Sequence, residues 1–400
     1  MARFQSAVAV PTPEAVGSPI RQLRAAAPPP SPLRIALVTE YYYPHLGGIC
    51  EHIHFLAREA RRRGHHVDII TSHIGRSADE PHVIRIGQSV PVYANGSMAR
   101  VTVGWGLRRQ MRDVLRRGRY DVVHAHTPLA PTLPLLAVEE ADVPTVGTFH
   151  TNFGRSIGYA VSHGYFQRRL DRLAAAIAVS RTAAAACRRY FDADWTIIPN
   201  GVDTELFSPD APPPAGISRD VPTVLFLGRF DPRNEFPTLL AAFRRVRGPR
   251  RVAQLVVVGD GPLRRVYRRM AGSDPGVSFV GAVLEGRARY YANSAVYACP
   301  TTKASFGITL LEAMACGTPV ACSDIAGFDE VVTDGREALM TRGGDVGSLS
   351  DALARLLDDP ALRERMGAAG RATALRYAWP VVTDQVLAVY ARVLARAAAA

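Results

Sequence analysis

The chain has 400 residues, enough for two domains of ordinary size, and 48% of them are hydrophobic. Its five cysteines are scattered and include no Cys-x-x-Cys pair, which argues against a zinc ribbon or a disulfide framework, and no apolar run approaches the roughly 18 residues that span a bilayer. The formal net charge of +12 indicates anionic partners, but no zinc-finger, RNA-recognition or basic-zipper pattern points to nucleic acid.

The N-terminal half begins with an Ala- and Pro-rich segment, residues 1–32, which lacks the apolar core of a signal peptide and is predicted to be a disordered arm. From residue 33 to residue 207, short apolar strands alternate with helices. This alternation is typical of a parallel sheet covered on both faces. The predicted strands are residues 33–38, 67–71, 121–126, 145–150 and 176–180.

The alternation stops at a Pro-rich segment, residues 208–222, which is predicted to be a linker. A second α/β domain is predicted for residues 223–378, with strands at 223–228, 254–259, 277–280, 295–298 and 320–323. Residues 379–400 are predicted to form a C-terminal helix that can pack back on the first domain. The predicted fold class is therefore α/β, with two tandem Rossmann-like doubly wound parallel-sheet domains. Ligands of such domains bind beyond the carboxyl ends of the strands, here in the cleft between the domains.

A basic amphipathic helix is predicted between two strands of the first domain. Arg108, Arg112 and Arg116 repeat at four-residue spacing and share one face. The opposite face holds Leu107, Met111, Val114 and Leu115. This pattern is typical of a helix that contacts an anionic membrane surface, but a helix that covers the sheet and exposes its arginines has the same pattern.

The segment 300–320 carries the strongest phosphate-binding signal. Its turn, Ser305-Phe306-Gly307, precedes a helix predicted to begin at Ile308. Glycine lets the backbone approach a ligand closely, and the unpaired N–H groups of the first helical turn favour phosphate. Glu312, about one turn further on, can accept hydrogen bonds from a vicinal diol such as a ribose. Lys303, the single lysine beside 47 arginines, offers a compact point charge to an anion.

Six short sequence segments together resemble those of the family 4 retaining glycosyltransferases of GT-B architecture, and the resemblance extends over roughly residues 33–390. Within that family the chain is most similar to the bacterial phosphatidyl-myo-inositol mannosyltransferases and their relatives. The segments are Pro44-His45-Leu46-Gly47-Gly48-Ile49, Asn95-Gly96-Ser97-Met98-Ala99-Arg100, Gly147-Thr148-Phe149-His150-Thr151, Ile198-Pro199-Asn200-Gly201-Val202-Asp203, Leu227-Gly228-Arg229-Phe230 and the block from Ser305 to Val320.

The resemblance implies the transfer of a hexose, such as mannose from GDP-mannose, to a lipid-linked or polyol acceptor such as a phosphatidylinositol-type lipid. Front-face attack that retains the anomeric configuration requires stabilisation of the leaving group more than a nucleophile. The resemblance also implies two catalytic residues, His150 near the transferred sugar and Arg229 on the diphosphate. The further donor-binding residues that it implies are Gly48, Phe306, Gly307, Ile308, Thr309 and Glu312, with Val280 and Gly281 beside the base.

Two departures from the family pattern fall in the donor site. Ala304 stands where the family has a glutamate that holds the hexose hydroxyls, and Asn234 stands where it has a lysine near the phosphates. Compared with the family pattern, the donor site therefore lacks one acidic and one basic side chain. We expect the neighbouring Lys303 to restore the positive charge near the phosphates; the alternative is that both losses leave a weak or inactive enzyme.

The acceptor side is implied by the second of the six segments. Asn95 and Ser97 can hydrogen-bond a polyol, and Arg100 can pair with a lipid phosphate. The family's tyrosine before the asparagine is replaced by Ala94, with Tyr93 one position earlier, so inositol recognition stays open.

We expect that no metal is required and that there is no cofactor, since the nucleotide sugar is a co-substrate. Two alternatives stay open: a UDP-sugar-dependent enzyme with a soluble or polysaccharide-precursor acceptor, and a non-catalytic module that binds a nucleotide sugar. The expected partners are the nucleotide-sugar donor, a lipid or polyol acceptor and an anionic membrane surface, without nucleic acid. The expected location is the cytoplasm, including the inner face of the cell membrane.

Overall fold

A computed structural model of the chain describes residues 32–45, 47–75, 80–94, 97–130, 132–150, 156–214, 220–248, 251–283 and 285–399. The predicted arm up to residue 31 and residues 215–219 of the predicted linker lie outside this part of the chain. Two sheets with helices packed against them form two α/β domains. This arrangement confirms the predicted fold class.

The N-terminal sheet has the strand order β4-β3-β2-β1-β5-β6-β7-β8. Its strands are β1 (Arg34–Val38), β2 (His66–His73), β3 (Val83–Ala94), β4 (Ser97–Val103), β5 (Val122–His126), β6 (Thr145–Phe149), β7 (Ala175–Ala178) and β8 (Trp195–Ile197). Neighbouring strands are parallel except β3 and β4, which form an antiparallel hairpin at the edge of the sheet. The sequence did not predict this hairpin, because an edge hairpin needs no continuous apolar run.

The C-terminal sheet is parallel throughout, with the strand order β11-β10-β9-β12-β13-β14. Its strands are β9 (Thr223–Leu227), β10 (Gln254–Val258), β11 (Val277–Gly281), β12 (Val296–Cys299), β13 (Val320–Ser323) and β14 (Ala338–Thr341). The order reverses at β9, so a crevice opens between the carboxyl ends of β9 and β12, where doubly wound sheets bind ligands.

Helices connect the strands and cover both faces of each sheet. In the described part of the chain they are α1 (Gly48–Arg62), α2 (Leu107–Gly118), α3 (Leu133–Glu140), α4 (Ile157–Val161), α5 (His163–Leu170), α6 (Arg181–Arg188), α7 (Phe236–Val246), α8 (Arg264–Ala271), α9 (Ala288–Ala292), α10 (Ile308–Ala315), α11 (Val346–Asp358), α12 (Pro360–Leu375) and α13 (Trp379–Ala399).

Helix α13 returns from the second domain to the first. Its buried residues Val386 and Tyr390 share a hydrophobic core with Ile35 of β1 and Ile53 of α1. The chain thus crosses between the domains twice, and the two crossing segments pair beside each other. Val202 N–H donates to the carbonyl of residue 377 at 2.9 Å, and residue 379 N–H donates to the Val202 carbonyl at 3.2 Å.

Helix α2 covers the sheet instead of offering an apolar face to a bilayer. Met111 and Leu115 are buried in the core beneath it. Arg108 forms ion pairs with Glu139 and Glu140 of α3. Two further arginines complete the predicted basic face: Arg112, whose Nε lies 2.7 Å from Glu140 Oε2, and Arg116, which is exposed. The structure therefore matches the second interpretation of this pattern, a helix that covers the sheet, because a crossover between β4 and β5 must bury its apolar face on the sheet; contact of its arginines with a membrane stays a prediction.

No helix in the described ranges is both long enough and apolar enough to pass through a lipid bilayer.

Candidate active site

Two helices begin opposite each other across the cleft. Helix α1 starts at Gly48 after β1, and helix α10 starts at Ile308 after β12. A Cβ atom placed on Gly48 would lie only 2.8 Å from Ile308 Cδ1, so glycine allows the two domains to touch here. The cleft therefore narrows at the point where both predicted phosphate-binding turns lie.

The first turns of both helices keep their N–H groups free of side-chain caps. Gly47 and Gly307 occupy the N-cap positions, and neither position provides a side-chain hydrogen bond. Such N–H groups, together with the positive ends of the helix dipoles, attract anions. Two uncapped helix starts that face each other form a cradle suited to a diphosphate.

Cationic side chains from both domains influence the charge state of His45, which precedes α1. Burial lowers the pKa of His45, which follows β1, and the charges of Arg100 and Arg229 lower it further. Arg100 belongs to β4 and Arg229 follows β9. The predicted acceptor-side and donor-side arginines thus both act electrostatically on His45, although the Arg100 guanidinium also donates to the Ser89 hydroxyl at 2.8 Å.

Lys303 lies on the exposed loop after β12, beside the loop that carries Arg229. Asn234 Nδ2 donates to the Arg229 carbonyl at 2.6 Å, and the Thr301 hydroxyl donates to Asn234 Oδ1 at 3.1 Å. Asn234 therefore joins the two loops at the position where the family pattern has a lysine. Lys303 comes two residues after Thr301, so these two hydrogen bonds of Asn234 hold the loop that carries Lys303 against the loop that carries Arg229.

Glu312 is buried in α10, and both of its carboxylate oxygens already accept hydrogen bonds. Arg287 Nη2 donates to Oε1 at 2.8 Å, and the Tyr291 hydroxyl donates to Oε2 at 2.9 Å. The same guanidinium nitrogen lies 2.6 Å from Glu51 Oε1 in α1, so Arg287 joins the two domains. Burial by itself lowers the pKa of Arg287, but the carboxylates of Glu312 and Glu51 raise it overall. The contact of a ribose diol with Glu312 stays a prediction.

His150 is buried within a cluster of histidine rings. Its Nε2 lies 3.0 Å from His126 Nδ1, and the ring of His52 packs edge-on against it with 4.7 Å between centroids. His52 Nδ1 lies 2.9 Å from Asn200 Oδ1, and since an amide oxygen only accepts, this ring nitrogen carries the proton.

The buried rings of this cluster are neutral at pH 7. Burial lowers the pKa of His150 and of His126 well below the ordinary value of 6.5, and lowers that of His52 to about 4. His150 can therefore contribute a hydrogen bond to a bound sugar, but not a positive charge.

One pocket between the domains collects several of the predicted donor residues. It is lined by Gly48, Glu51, His52, Phe55, Gly201, Val202, Asp203, Phe207, Ile308, Glu312 and Trp379. His52 stands on its wall, whereas His150 lies behind His52, so the contact of His150 with the transferred sugar stays a prediction.

The other predicted residues lie around this pocket or outside the described chain. The Phe306 side chain is buried in a hydrophobic core of the C-terminal domain, which leaves only its backbone for a ligand. Thr309 lies in the first turn of α10. Val280 is exposed near the end of β11, and Gly281 ends that strand with φ +97°. Asn95 lies outside the described residues, and Ser97 is described only as the first residue of β4.

The site residues that sequence reasoning missed include His52, Asn200, Arg287 and Tyr291. Asn200 belongs to a segment that carried the resemblance, and His52 lies one turn beyond Gly48 on α1, so both had a signal. Arg287 and Tyr291 had none, because they follow an ordinary strand and reach Glu312 only through the folding of the domain.

Comparison with known proteins agrees with this geometry. Residues 46–206 match the model of Glycosyltransferase Family 4, and residues 221–359 match that of Glycosyl transferases group 1. The chain is 36% identical to a phosphatidyl-myo-inositol mannosyltransferase of Mycobacterium leprae, with 90% of this chain and 96% of that protein covered. It is 29% identical to a D-inositol 3-phosphate glycosyltransferase of Xylanimonas cellulosilytica, with 88% of this chain and 93% of that protein covered.

Among solved structures, the sucrose-phosphate synthase from Thermosynechococcus elongatus has a similar fold. It matches with a TM-score of 0.69 at 24% identity and covers 90% of this chain and 99% of its own. The facing helix starts, the two sheets and the similarity along nearly the whole length lead to one conclusion. The chain belongs to glycosyltransferase family 4 and is a glycosyltransferase of the GT-B fold.

Proposed function

We propose that the chain transfers mannose from GDP-mannose to the inositol of a phosphatidylinositol-type lipid, with retention of the anomeric configuration. The observation that carries the proposal is the pair of uncapped helix starts at Gly48 and Ile308, which face each other across the cleft and suit a diphosphate leaving group. The hexose and the acceptor are taken from what the names of the most similar relatives state about those proteins.

Stabilisation of the leaving group provides the main catalytic effect in this proposal. The bond between the anomeric carbon and the diphosphate breaks, a bond to the acceptor oxygen forms on the same face, and the acceptor proton passes to the departing phosphate oxygen. Negative charge grows on the diphosphate during this step. Fixed N–H groups at the two helix starts, the Arg229 guanidinium and the Lys303 ammonium stabilise that charge more strongly in the transition state than in the ground state.

The nucleotide and the sugar are held by the remaining cleft residues in this proposal. Glu312 accepts hydrogen bonds from the ribose hydroxyls while Arg287 and Tyr291 orient its carboxylate. The neutral ring of His150 gives a hydrogen bond to the sugar after a small displacement from His126. Since burial keeps this ring uncharged, it orients the sugar without repelling a developing positive charge at the anomeric carbon.

Membrane contact in this proposal uses the rim of the first domain rather than the apolar face of α2. Trp105 is 97% exposed just before α2, and Val103 is exposed at the end of β4. Exposed Arg109 and Arg116 lie on the helix beside them. An exposed tryptophan next to unburied arginines suits the interface of an anionic bilayer. Arg100, which lies on the same strand β4 as Val103, meets the lipid phosphate in this proposal.

A soluble phosphorylated inositol is the second candidate acceptor. One observation favours it: Arg108 and Arg112 are neutralised by Glu139 and Glu140, which weakens the basic face of α2. The similarity to an enzyme named for D-inositol 3-phosphate is consistent with this candidate.

The test incubates the purified chain with radiolabelled GDP-mannose or UDP-glucose and with either phosphatidylinositol vesicles or soluble inositol phosphate. We expect a mannolipid only from GDP-mannose and the vesicles, and we expect Arg229→Gln to lower its formation roughly 100-fold, since removal of one preorganised donor costs about this much. Arg245→Gln, an exposed arginine on α7, is the matched control and should retain activity. Transfer to the soluble acceptor alone would support the second candidate, and nucleotide binding without any transfer would support the non-catalytic alternative.

The same assay tests the expectation that no metal is required. Turnover should survive an excess of EDTA, because arginine, lysine and helix starts supply the positive charge. A loss of turnover that returns on adding Mg²⁺ or Mn²⁺ would overturn that expectation.

A further inference from the structure

Two histidines and an aspartate meet at the end of the N-terminal sheet that lies away from the cleft. His66 begins β2, and Asp68 follows two residues later on the same face of that strand. His82 directly precedes β3, which runs parallel to β2, and Ile69 N–H donates to the His82 carbonyl at 2.8 Å. The cluster lies at the amino ends of these strands, whereas the proposed donor site lies beyond carboxyl ends.

The three side chains already hold nearly the separations of a metal site. His66 Nε2 lies 3.1 Å from Asp68 Oδ2, and His82 Nδ1 lies 3.1 Å from Asp68 Oδ1. One ligand atom from each residue lies within 4.8 Å of the others. Ligand distances of 2.0 to 2.2 Å around a tetrahedral zinc ion correspond to separations of about 3.4 Å between ligand atoms. Small side-chain movements are therefore enough to admit an ion.

The surroundings of the cluster suit a metal that exchanges with solvent. The side chains of His66 and His82 are 36% and 47% exposed, whereas that of Asp68 is only 12% exposed. The Tyr120 hydroxyl donates to Asp68 Oδ2 at 2.8 Å and fixes the orientation of the carboxylate, as partners of metal ligands do. The Arg61 guanidinium, whose charge interacts with Asp68, donates to the Val67 carbonyl at 2.7 Å.

The backbone of His82 is an additional sign of a constrained position. Its φ is +63°, a left-handed conformation that residues other than glycine seldom adopt. In this conformation the half-exposed imidazole lies against Asp68, with Nδ1 3.1 Å from Oδ1. Without an ion, the same geometry is a hydrogen-bonded network in which each ring donates one N–H to the carboxylate.

We propose that His66, Asp68 and His82 form a binding site for a divalent transition metal. Zn²⁺ is the ion with which the site is tested. The ion takes the positions of the two donated protons, and each neutral ring shifts its single proton through solvent to the opposite nitrogen, so the ring nitrogen that had donated becomes the ligand. Two imidazoles and one carboxylate suit zinc, whereas Mg²⁺ and Ca²⁺ require oxygen ligands. The bound ion connects the start of β2 to the start of β3 and stabilises the first domain; it takes no part in sugar transfer.

A second group of possible ligands, His52, His126 and His150, belongs to the cleft and serves as an internal comparison. The experiment therefore measures zinc binding by equilibrium dialysis with metal analysis, on protein without a polyhistidine tag, for the wild type and five variants. His82→Asn and Asp68→Asn remove ligands of the proposed site. Asparagine is chosen at position 82 because it tolerates a positive φ. His126→Gln disrupts the group in the cleft, and His73→Gln removes a histidine from the other end of β2.

We expect one zinc per wild-type chain, little or none for His82→Asn and Asp68→Asn, and unchanged binding for His126→Gln and His73→Gln. Tyr120→Phe should weaken binding roughly 10- to 100-fold, as loss of a partner of a metal ligand does. Zinc should raise the melting temperature of the wild type but not of His82→Asn, while both should melt alike in EDTA.

Three results would overturn the proposal: no zinc on the wild-type chain, equal zinc on the wild type, His82→Asn and Asp68→Asn, or loss of zinc with His126→Gln alone. Mg²⁺ should not compete with zinc, and competition at equal concentration would also contradict it. Because the readouts are metal content and melting temperature, they are independent of the mannosyl transfer assay, so either proposal can fail without the other.

Discussion

The single lysine of the chain stands beside the proposed diphosphate position, next to the Asn234 that joins two loops there. We predict that Lys303→Ala weakens binding of the nucleotide sugar about 10-fold, since a hydrogen bond to a charged group contributes about 1.5–3 kcal/mol. Isothermal titration with GDP-mannose measures the change. Lys303→Arg should recover most of the affinity if charge is what matters.

The matched control for Lys303→Ala is Arg233→Ala. Arg233 is another exposed cation in the neighbouring loop, but its Nε lies 3.2 Å from Asp231 Oδ2, so its charge is already balanced. Its removal should leave donor affinity nearly unchanged. Wild-type affinity and turnover in Lys303→Ala would show that the lysine has no role at the phosphates.

At the level of single residues, the sequence indicated which groups suit phosphate but not what holds them. Glu312 was identified one helical turn after Ile308, which is a local spacing. Its partner Arg287 was not, because that contact joins residues 25 positions apart, and the further contact with Glu51 joins residues 236 apart. Side-chain contacts of this kind depend on how the domains pack.

At the level of elements, the start of α10 depends on a glycine. Gly307 has φ +127°, and a Cβ atom there would lie 3.1 Å from Phe328 Cδ1. We predict that Gly307→Ala shifts the helix start and lowers kcat/KM roughly 10- to 100-fold, because forcing such a backbone conformation costs about 1–3 kcal/mol. Steady-state kinetics of mannosyl transfer measure the effect.

Gly335→Ala is the control for this prediction. Gly335 also has a positive φ, +75°, but it lies on the turn before β14 and a Cβ there meets nothing within 4 Å. It should lower the melting temperature without changing kcat/KM. Equal kinetic losses in both variants would mean that Gly307→Ala acts through general stability instead of the donor site.

Helix α2 shows why element type was predictable while its environment was not. The four-residue spacing of its arginines correctly predicted a helix, because periodicity is a local property. The same period describes a helix on a membrane and a helix on a sheet. Glu139 and Glu140 decided between them, since they lie on α3 and meet Arg108 only after the crossover folds.

At the level of the whole molecule, the buried histidine cluster makes stability depend on pH. The unfolded chain binds protons at its histidines near pH 6.5. Burial lowers the native pKa of His52 to about 4 and that of His124, whose ring stacks on the ring of His126, to about 3. Between these values the unfolded state holds more protons, so the free energy of unfolding falls as the pH falls. Each such histidine contributes a slope of about 1.4 kcal/mol per pH unit.

We therefore predict a steep fall in melting temperature between pH 6.5 and pH 5, a window above the range in which ordinary carboxylates titrate. Urea unfolding at several pH values measures the slope. His52→Gln should reduce it by about 1.4 kcal/mol per pH unit, whatever its effect on stability at pH 7. Identical slopes for the variant and the wild type would contradict the assignment to buried neutral rings.

The sequence by itself determined the two α/β domains, the glycine-led helix starts and the family, because strand burial, helical period and the backbone freedom of glycine depend on a few consecutive residues. Only the tertiary structure decided that Gly48 faces Ile308, that Arg287 joins both domains, and that His66 meets His82. Each of these contacts joins residues that are distant in the chain, and their distances depend on sheet order and domain packing, which no local pattern contains.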